Sequence, residues 1–200
     1  MRKIKRIAAA LTLIGSMLAC SVPAYATEGM VPMSEYEAIL EHFNEEYGVD
    51  LIFIEVDREL VTLEHYRTVV RQQAQAERVT QDALKGVPNI PVNGNGINLL
   101  GYEYTKNIDV DTGEGTRINS TYTVYDGNTV SQPSRSSLYM TSEAQSAGGA
   151  LNAISRPAYY LSSDRTYGRI TFTANLTVLH VSVGGRTFVA YYSPSGGWRE

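Results

Sequence analysis

Apolar residues recur with two different periods on either side of one break in the chain, and this change limits the fold more than any other feature. Between Ser34 and Lys85 they follow the period of an amphipathic helix, interrupted by one short apolar run. After Leu100 they alternate, which is the period of a half-buried strand. The break, Gly86 to Asn98, reads GVPNIPVNGNGIN and packs two Pro, three Gly and four Asn into 13 residues. Such a stretch reads as a linker, separating residues 27–85 from residues 99–200.

The first unit reads helix, strand, helix. Ser34 followed by Glu37 matches a capping box, and Tyr36, Ile39, Leu40, Phe43 and Tyr47 then form one stripe that Gly48 ends. Leu51 to Val56 is an apolar run of strand length. Thr62 is placed to cap a second helix from Leu63, with Leu63, Tyr66, Val70 and Ala74 along one face. Beyond Ala74 the stripe fades into Gln and charged residues, so the last turns are expected to be exposed.

In the second unit, Leu100, Tyr102, Tyr104, Ile108 and Val110 alternate with polar residues. Asp111 to Gly115 supplies a turn, and Ile118, Tyr122 and Val124 resume the alternation. Residues 132–157 are rich in Ser, Gly and Ala and are expected to be mainly loop. Ile170, Phe172, Ala174, Leu176 and Val178 share a face; the phase then slips at Val178–Leu179, the mark of a bulge or a crossing between sheets. Gly184–Gly185 fits a two-residue hairpin turn that would set Val181 opposite Phe188 and Leu179 opposite Ala190. The expected class is α+β, a helix-strand-helix unit followed by an antiparallel β-sandwich or open barrel.

Residues 1–26 read as a signal peptide. Arg2, Lys3, Lys5 and Arg6 precede an uncharged, mostly apolar run from Ile7 to Ala19; Pro23 breaks it, and Ala24-Tyr25-Ala26 provides the small residues read by a signal peptidase, leaving Thr27 first. A run of about 13 residues spans roughly 20 Å as a helix, short of a bilayer core of about 30 Å. A second route is open: Met17-Leu18-Ala19-Cys20 resembles a lipobox, in which Cys20 would become the lipid-bearing N-terminus. Either route places the product outside the cytoplasm, secreted in the first case and lipid-anchored at the outer face of the membrane in the second. No later stretch is apolar enough to span a membrane.

Composition then excludes chemistry. Cys20 is the one cysteine, so residues 27–200 carry neither a thiol nucleophile nor a disulfide. Residues 27–85 hold 13 acidic and 5 basic side chains, a net of −8, and residues 86–200 hold 8 of each. Neither has the basic surplus that nucleic-acid binding requires. No HExxH, no Gly-x-Ser-x-Gly and no phosphate-loop motif occurs, so no metal or cofactor is expected. His42 and His65 sit in matching Leu-Glu-His contexts, better read as exposed helix residues than as a metal pair. Asn107, Asp109, Asp111 and Glu114 suggest a calcium loop, but Thr112 and Ile118 stand where an EF-hand needs Gly and Glu, so a polar turn is the better account. Glu37, Glu41 and Glu45 make an acidic stripe read as a solvated face.

Tyrosine is abundant, at 14 residues. Tyr159, Tyr160, Tyr191, Tyr192 and Trp198 gather in the β unit, where rings with a polar edge suit contact with sugars or proteins, or cross-strand packing. In a doublet on a strand one ring points inward and the other outward, so at most half can meet a ligand.

The stretch EYEAILEHFNEEYGVDLIFIEV, followed by TLEHY, resembles the opening of small exported proteins of Firmicutes that have no assigned activity. The resemblance covers about 50 residues, implies a Gram-positive exported protein, and carries no functional residue. The expected function is a non-enzymatic binding module at or beyond the cell envelope, its partner a protein or glycan. The alternative is an envelope hydrolase whose carboxylate pair is set in space rather than along the chain.

Overall fold

The computed structural model describes residues 31–85, 102–153 and 155–199. The signal segment 1–26 with Cys20, Ala24 and Ala26, the expected first residue Thr27, the 86–98 break and Leu100 lie outside the described residues.

Helix α1 (Met33–Tyr47) buries Tyr36, Ile39, Leu40 and Phe43. Gly48 ends it in the left-handed region at φ 62°, its N–H donating to the Asn44 carbonyl. The Asn44 side chain then clamps the exit: its amide donates to the Leu51 carbonyl at 2.7 Å and accepts from the Leu51 N–H at 3.0 Å. The capping box does not form. Pro32 is the N-cap, no side chain caps the helix, and Ser34 lies inside it. Starting the helix at Met33 lets Met33 and Val31 pack on the helical core, which outweighs a surface cap.

Strand β1 (Ile52–Val56) and helix α2 (Leu63–Leu84) follow. The Thr62 hydroxyl accepts from the His65 N–H, as its position predicts. The buried stripe of α2 does not fade at Ala74 but continues through Glu77 to Thr80; only the final turn beyond Thr80 holds no buried residue, so the expected exposure begins later than the apolar pattern suggests. It continues in polar residues: Gln73 and Glu77 are satisfied by strand β9 (Val181–Ser193), and the Thr80 hydroxyl donates to the Ala76 carbonyl of its own helix, which the apolar pattern could not reveal.

Strands β2 (Glu103–Gly113) and β3 (Thr116–Tyr125) form the expected hairpin, with even-numbered residues inward. Residues 132–157 are not mainly loop: they hold β5 (Arg135–Met140), the short helix α3 (Ser142–Ser146) and β6 (Ala150–Ala153). β5 pairs with β3, setting Leu138 against Ile118 and Met140 against Thr116; its Ser-rich sequence becomes a strand through that pairing. With β4 (Thr129–Val130) these make a four-stranded sheet.

The larger, six-stranded sheet runs β1-β9-β8-β6, where β8 is Gly168–Val178; β10 (Gly196–Trp198) also pairs with β9, and β7 (Ala158–Leu161) with β8. The hairpin between β8 and β9 turns at Leu179–His180, both at positive φ (47° and 67°), with Val178 opposite Val181. Gly184–Gly185 is instead a bulge opposite Asn175, so the expected turn and bulge exchange places. The β8 face from Ile170 to Val178 meets Ala190, Phe188, Arg186, Val183 and Val181 in turn, so the inward phase of β9 changes from odd to even at the glycine pair. The glycines answer to β1: a Cβ on Gly184 would stand 3.0 Å from Ile54 Cδ1 and 3.3 Å from Ile52 Cβ.

Two cores result. Val181 and Val183 join the helices and β1, with Tyr36 and Tyr66 edge to face at 5.0 Å. Phe172, Phe188 and Tyr192 join Ile118, Tyr122 and Val124 between the sheets. Tyr122 and Tyr192 lie 4.7 Å apart, and their hydroxyls donate to the Ser193 and Ser131 carbonyls at 2.9 and 3.1 Å. Lys106 Nζ ties β2 to the β9–β10 turn by donating to the Pro194 and Ser195 carbonyls. The molecule is therefore α+β, with a curled antiparallel framework completed by two long helices. Among the described residues no helix is long and apolar enough to cross a membrane.

Candidate ligand-binding face

Register places Tyr160 of β7, Arg169 of β8, Tyr191 of β9 and Trp198 of β10 in one row across four strands. Directly opposed residues share a face of the sheet, so the row is an aromatic ladder with a guanidinium inside it. Arg169 lies over the Tyr160 ring at 5.4 Å, close enough for cation–π attraction. Tyr191 and Trp198 stack at 5.8 Å and 23°. Tyr167 sets its ring 6.1 Å from that of Tyr160, and the hydrogen bond between the two hydroxyls, with burial, pushes the Tyr167 phenol above its ordinary value.

The ladder has a fixed base and an open rim. Arg169 and Tyr191 are buried, at 3% and 5% exposure, whereas Trp198 is 38% exposed. Tyr160 and Tyr167 are half-buried. The Tyr191 hydroxyl donates to the Ala83 carbonyl at 3.4 Å, tying the ladder to the end of α2.

The pleat divides the two tyrosine doublets. Tyr160 and Tyr191 lie on the outer row, while Tyr159 packs against the inter-sheet core and Tyr192 is buried within it. Of the five aromatic candidates read from the sequence, Tyr160, Tyr191 and Trp198 thus come together. Gly168 is what admits the Tyr192 ring to the core: a Cβ there would stand 2.2 Å from the ring carbon bearing the hydroxyl.

Beside the ladder lies a cluster that sequence reasoning missed. Arg186 is 2% exposed. Its Nε donates to Gln73 Oε1 at 2.9 Å, its Nη1 to Glu77 Oε2 at 2.6 Å, and its Nη2 to both Glu114 oxygens at 3.1 Å. Glu77 also accepts from the Thr187 N–H and hydroxyl at 2.7 and 2.8 Å. Two carboxylates, one from α2 and one from the β2–β3 turn, thus share one guanidinium. The only sequence trace of this is a Gln and a Glu four apart on α2, indistinguishable from a solvated face. Val79, Thr80, Ala83, Thr112 and Arg199 help enclose a cavity of about 30 Å³ beside it, room for one water.

The remaining candidates disperse. His42 pairs with Glu46 at 3.6 Å on α1, His65 opens α2, and His180 sits in the β8–β9 turn. Asp109 accepts from the Asn119 amide, Asp111 accepts from the Gly113 N–H at 2.8 Å, and Glu114 points to Arg186, so these acidic groups serve the hairpin and the cluster separately. Among the described residues no group of three or more His, Cys, Asp or Glu side chains is placed to hold a metal.

No protein-family model and no curated protein matches the chain. Among solved structures it is similar to the hypothetical protein lmo2686 from Listeria monocytogenes EGD-e, over 51% of this chain and 80% of that chain, at 12% identity and a TM-score of 0.25. A likeness of that size carries no argument about fold or function.

Proposed function

We propose that this is an exported, non-enzymatic binding module, acting at or beyond the envelope of a Gram-positive cell. Its ligand, a glycan or a protein segment, rests on the face rimmed by Trp198, Tyr160 and Tyr167. The observation that carries the reading is the cross-strand row Tyr160-Arg169-Tyr191-Trp198. Aromatic rings held on a rigid sheet present apolar faces to sugar C–H groups or peptide side chains at little entropic cost, because packing has already fixed them. The basic, then apolar, then Ala24-Tyr25-Ala26 opening supports export.

Among the described residues the carboxylate pair that invites a hydrolase reading, Glu77 with Glu114, favours a structural role. Both carboxylates bind Arg186, and Glu77 takes two further hydrogen bonds from Thr187. A general acid or base needs a free position toward substrate.

Two measurements test the proposal. Mass spectrometry of the product from the native host should find Thr27 first; a product starting at Met1 in the cytoplasm refutes export. Titration with solubilised envelope glycans and envelope proteins should give saturable binding that Trp198→Ala weakens about tenfold or more, the loss of one well-placed stacking residue. Undiminished binding by that variant refutes the aromatic face.

A further inference from the structure

Strand β1 borders the larger sheet. β9 occupies one of its sides, and among the described residues no strand pairs with the other. An open edge presents unpaired N–H and C=O groups, and soluble proteins commonly guard such edges with Lys or Pro. β1 reads Ile-Phe-Ile-Glu-Val; its shortness, its bulge and Glu55 limit pairing at the edge, but it carries neither Lys nor Pro. Ile52 and Ile54, both packed over Gly184, are 59% and 44% exposed. Leu60 and Leu179 are also exposed and stand at the end of the strand, where the Asp57 N–H donates to the His180 carbonyl.

Charge identifies the occupant. Asp50, Glu55, Asp57 and Glu59 are exposed along this edge, with Arg58 as the single cation between them. The acidic stripe Glu37, Glu41 and Glu45 of α1 belongs to the same half of the chain and is also exposed. A second copy of the chain would bring two such acidic rims together and be repelled; a basic segment would be drawn in. The edge is short and bulged at Ile54, so it suits a few residues rather than a long strand.

We propose that the free edge of β1 receives an extended segment of a partner protein whose outward-facing side chains are apolar in the middle and basic at the two ends. The partner backbone pairs with β1; on the outer face that Asp50, Ile52, Ile54 and Glu55 share, its apolar side chains cover Ile52 and Ile54 and its basic side chains face Asp50 and Glu55. This is strand addition, in which main-chain bonds supply affinity and alternate side chains supply selection. The site is separate from the aromatic face.

The test uses residues 27–200 and a short fluorescent peptide, Lys-Thr-Val-Thr-Val-Thr-Lys, whose lysines and valines share one face of the strand. Anisotropy should show saturable binding, and hydrogen exchange should slow across Ile52–Val56. The same peptide N-methylated along one backbone edge, or with glutamate in place of lysine, should bind about tenfold or more weakly. Asp50→Asn with Glu55→Gln should weaken the lysine peptide about tenfold while leaving the melting temperature unchanged. The proposal is overturned by absence of binding, by binding indifferent to N-methylation or to peptide charge, or by protection confined to other strands. A dimer that forms without peptide and is abolished by Ile54→Lys would overturn it in favour of self-pairing.

Discussion

Replacing Arg186 with Met removes the guanidinium and keeps most of the side-chain volume, so its cost reports the ion cluster rather than a cavity. The variant loses bonds to Gln73, Glu77 and Glu114. The three acceptors are not equally harmed. Glu114 keeps 16% side-chain exposure and can recover water, whereas Glu77, at 3%, cannot. Removing one partner of a buried ion pair costs about 3–5 kcal/mol, because the other charge is left uncompensated. Glu77 retains its two bonds from Thr187, which places the expected loss near the lower end, about 3 kcal/mol. In urea this should lower the midpoint without changing the slope, and for a chain of this size it should lower Tm by about 6–12 °C. Glu77→Gln added to Arg186→Met removes the stranded charge, so the double variant should be more stable than Arg186→Met alone. A loss below about 1 kcal/mol for Arg186→Met, or strictly additive single effects, would refute the claim that this cluster fastens α2 and the β2–β3 turn to β9.

Other outcomes follow from individual contacts. Leu179→Asn with His180→Gly relieves two residues at positive φ, each strained by about 1–2 kcal/mol, partly offset by glycine entropy; the unfolding free energy from urea titration should rise by about 1 kcal/mol, and a fall would show that the turn lies elsewhere. Gly168→Ala drives a methyl into the Tyr192 ring and should cost about 1–3 kcal/mol on thermal unfolding; a neutral result would mean that Tyr192 is not held there. Burial pushes the Tyr122 phenol from its usual 10.0 to about 12, and Tyr66 and Tyr192 are raised by burial as well. Because the folded chain holds these protons more tightly than the unfolded one, their contribution is fully present below about pH 10 and is lost as pH rises through the folded values. Denaturation followed by tyrosinate absorbance should therefore show stability falling only at strongly alkaline pH, and a decline beginning near neutrality would refute that assignment.

The parts of the fold that showed through the sequence are those whose burial is apolar and periodic. The stripes of α1 and early α2, the alternation in β2 and β3, and the inward face of β8 all carried their period in side chains that water rejects. The doublet rule likewise divided Tyr159 from Tyr160 and Tyr191 from Tyr192 before any partner was known, since it depends only on the pleat. Which outward rings would meet was not readable, because the row is set by register between strands far apart in sequence.

The exchange of turn and bulge in the last hairpin shows where local reasoning fails. Gly184–Gly185 is a better turn sequence than Leu179–His180 by any local measure. It is overruled because β1 needs a flat place to lie: Ile52 and Ile54 cross β9 where a side chain at residue 184 would block them. The strain accepted at Leu179 and His180 is of order 1–2 kcal/mol per residue, while pairing β1 to β9 brings Val181 and Val183 into the helical core with Leu51 and Val56, a gain of about 1.5–3 kcal/mol per fully buried aliphatic side chain. The comparison favours the observed register several-fold. The same reasoning explains Arg186: residues that look solvated one by one (Gln73, Glu77, Glu114) become interior only because a single cation at the phase change of β9 can reach all three. A pattern that exists only as a set of long-range partners leaves no period in the chain to read.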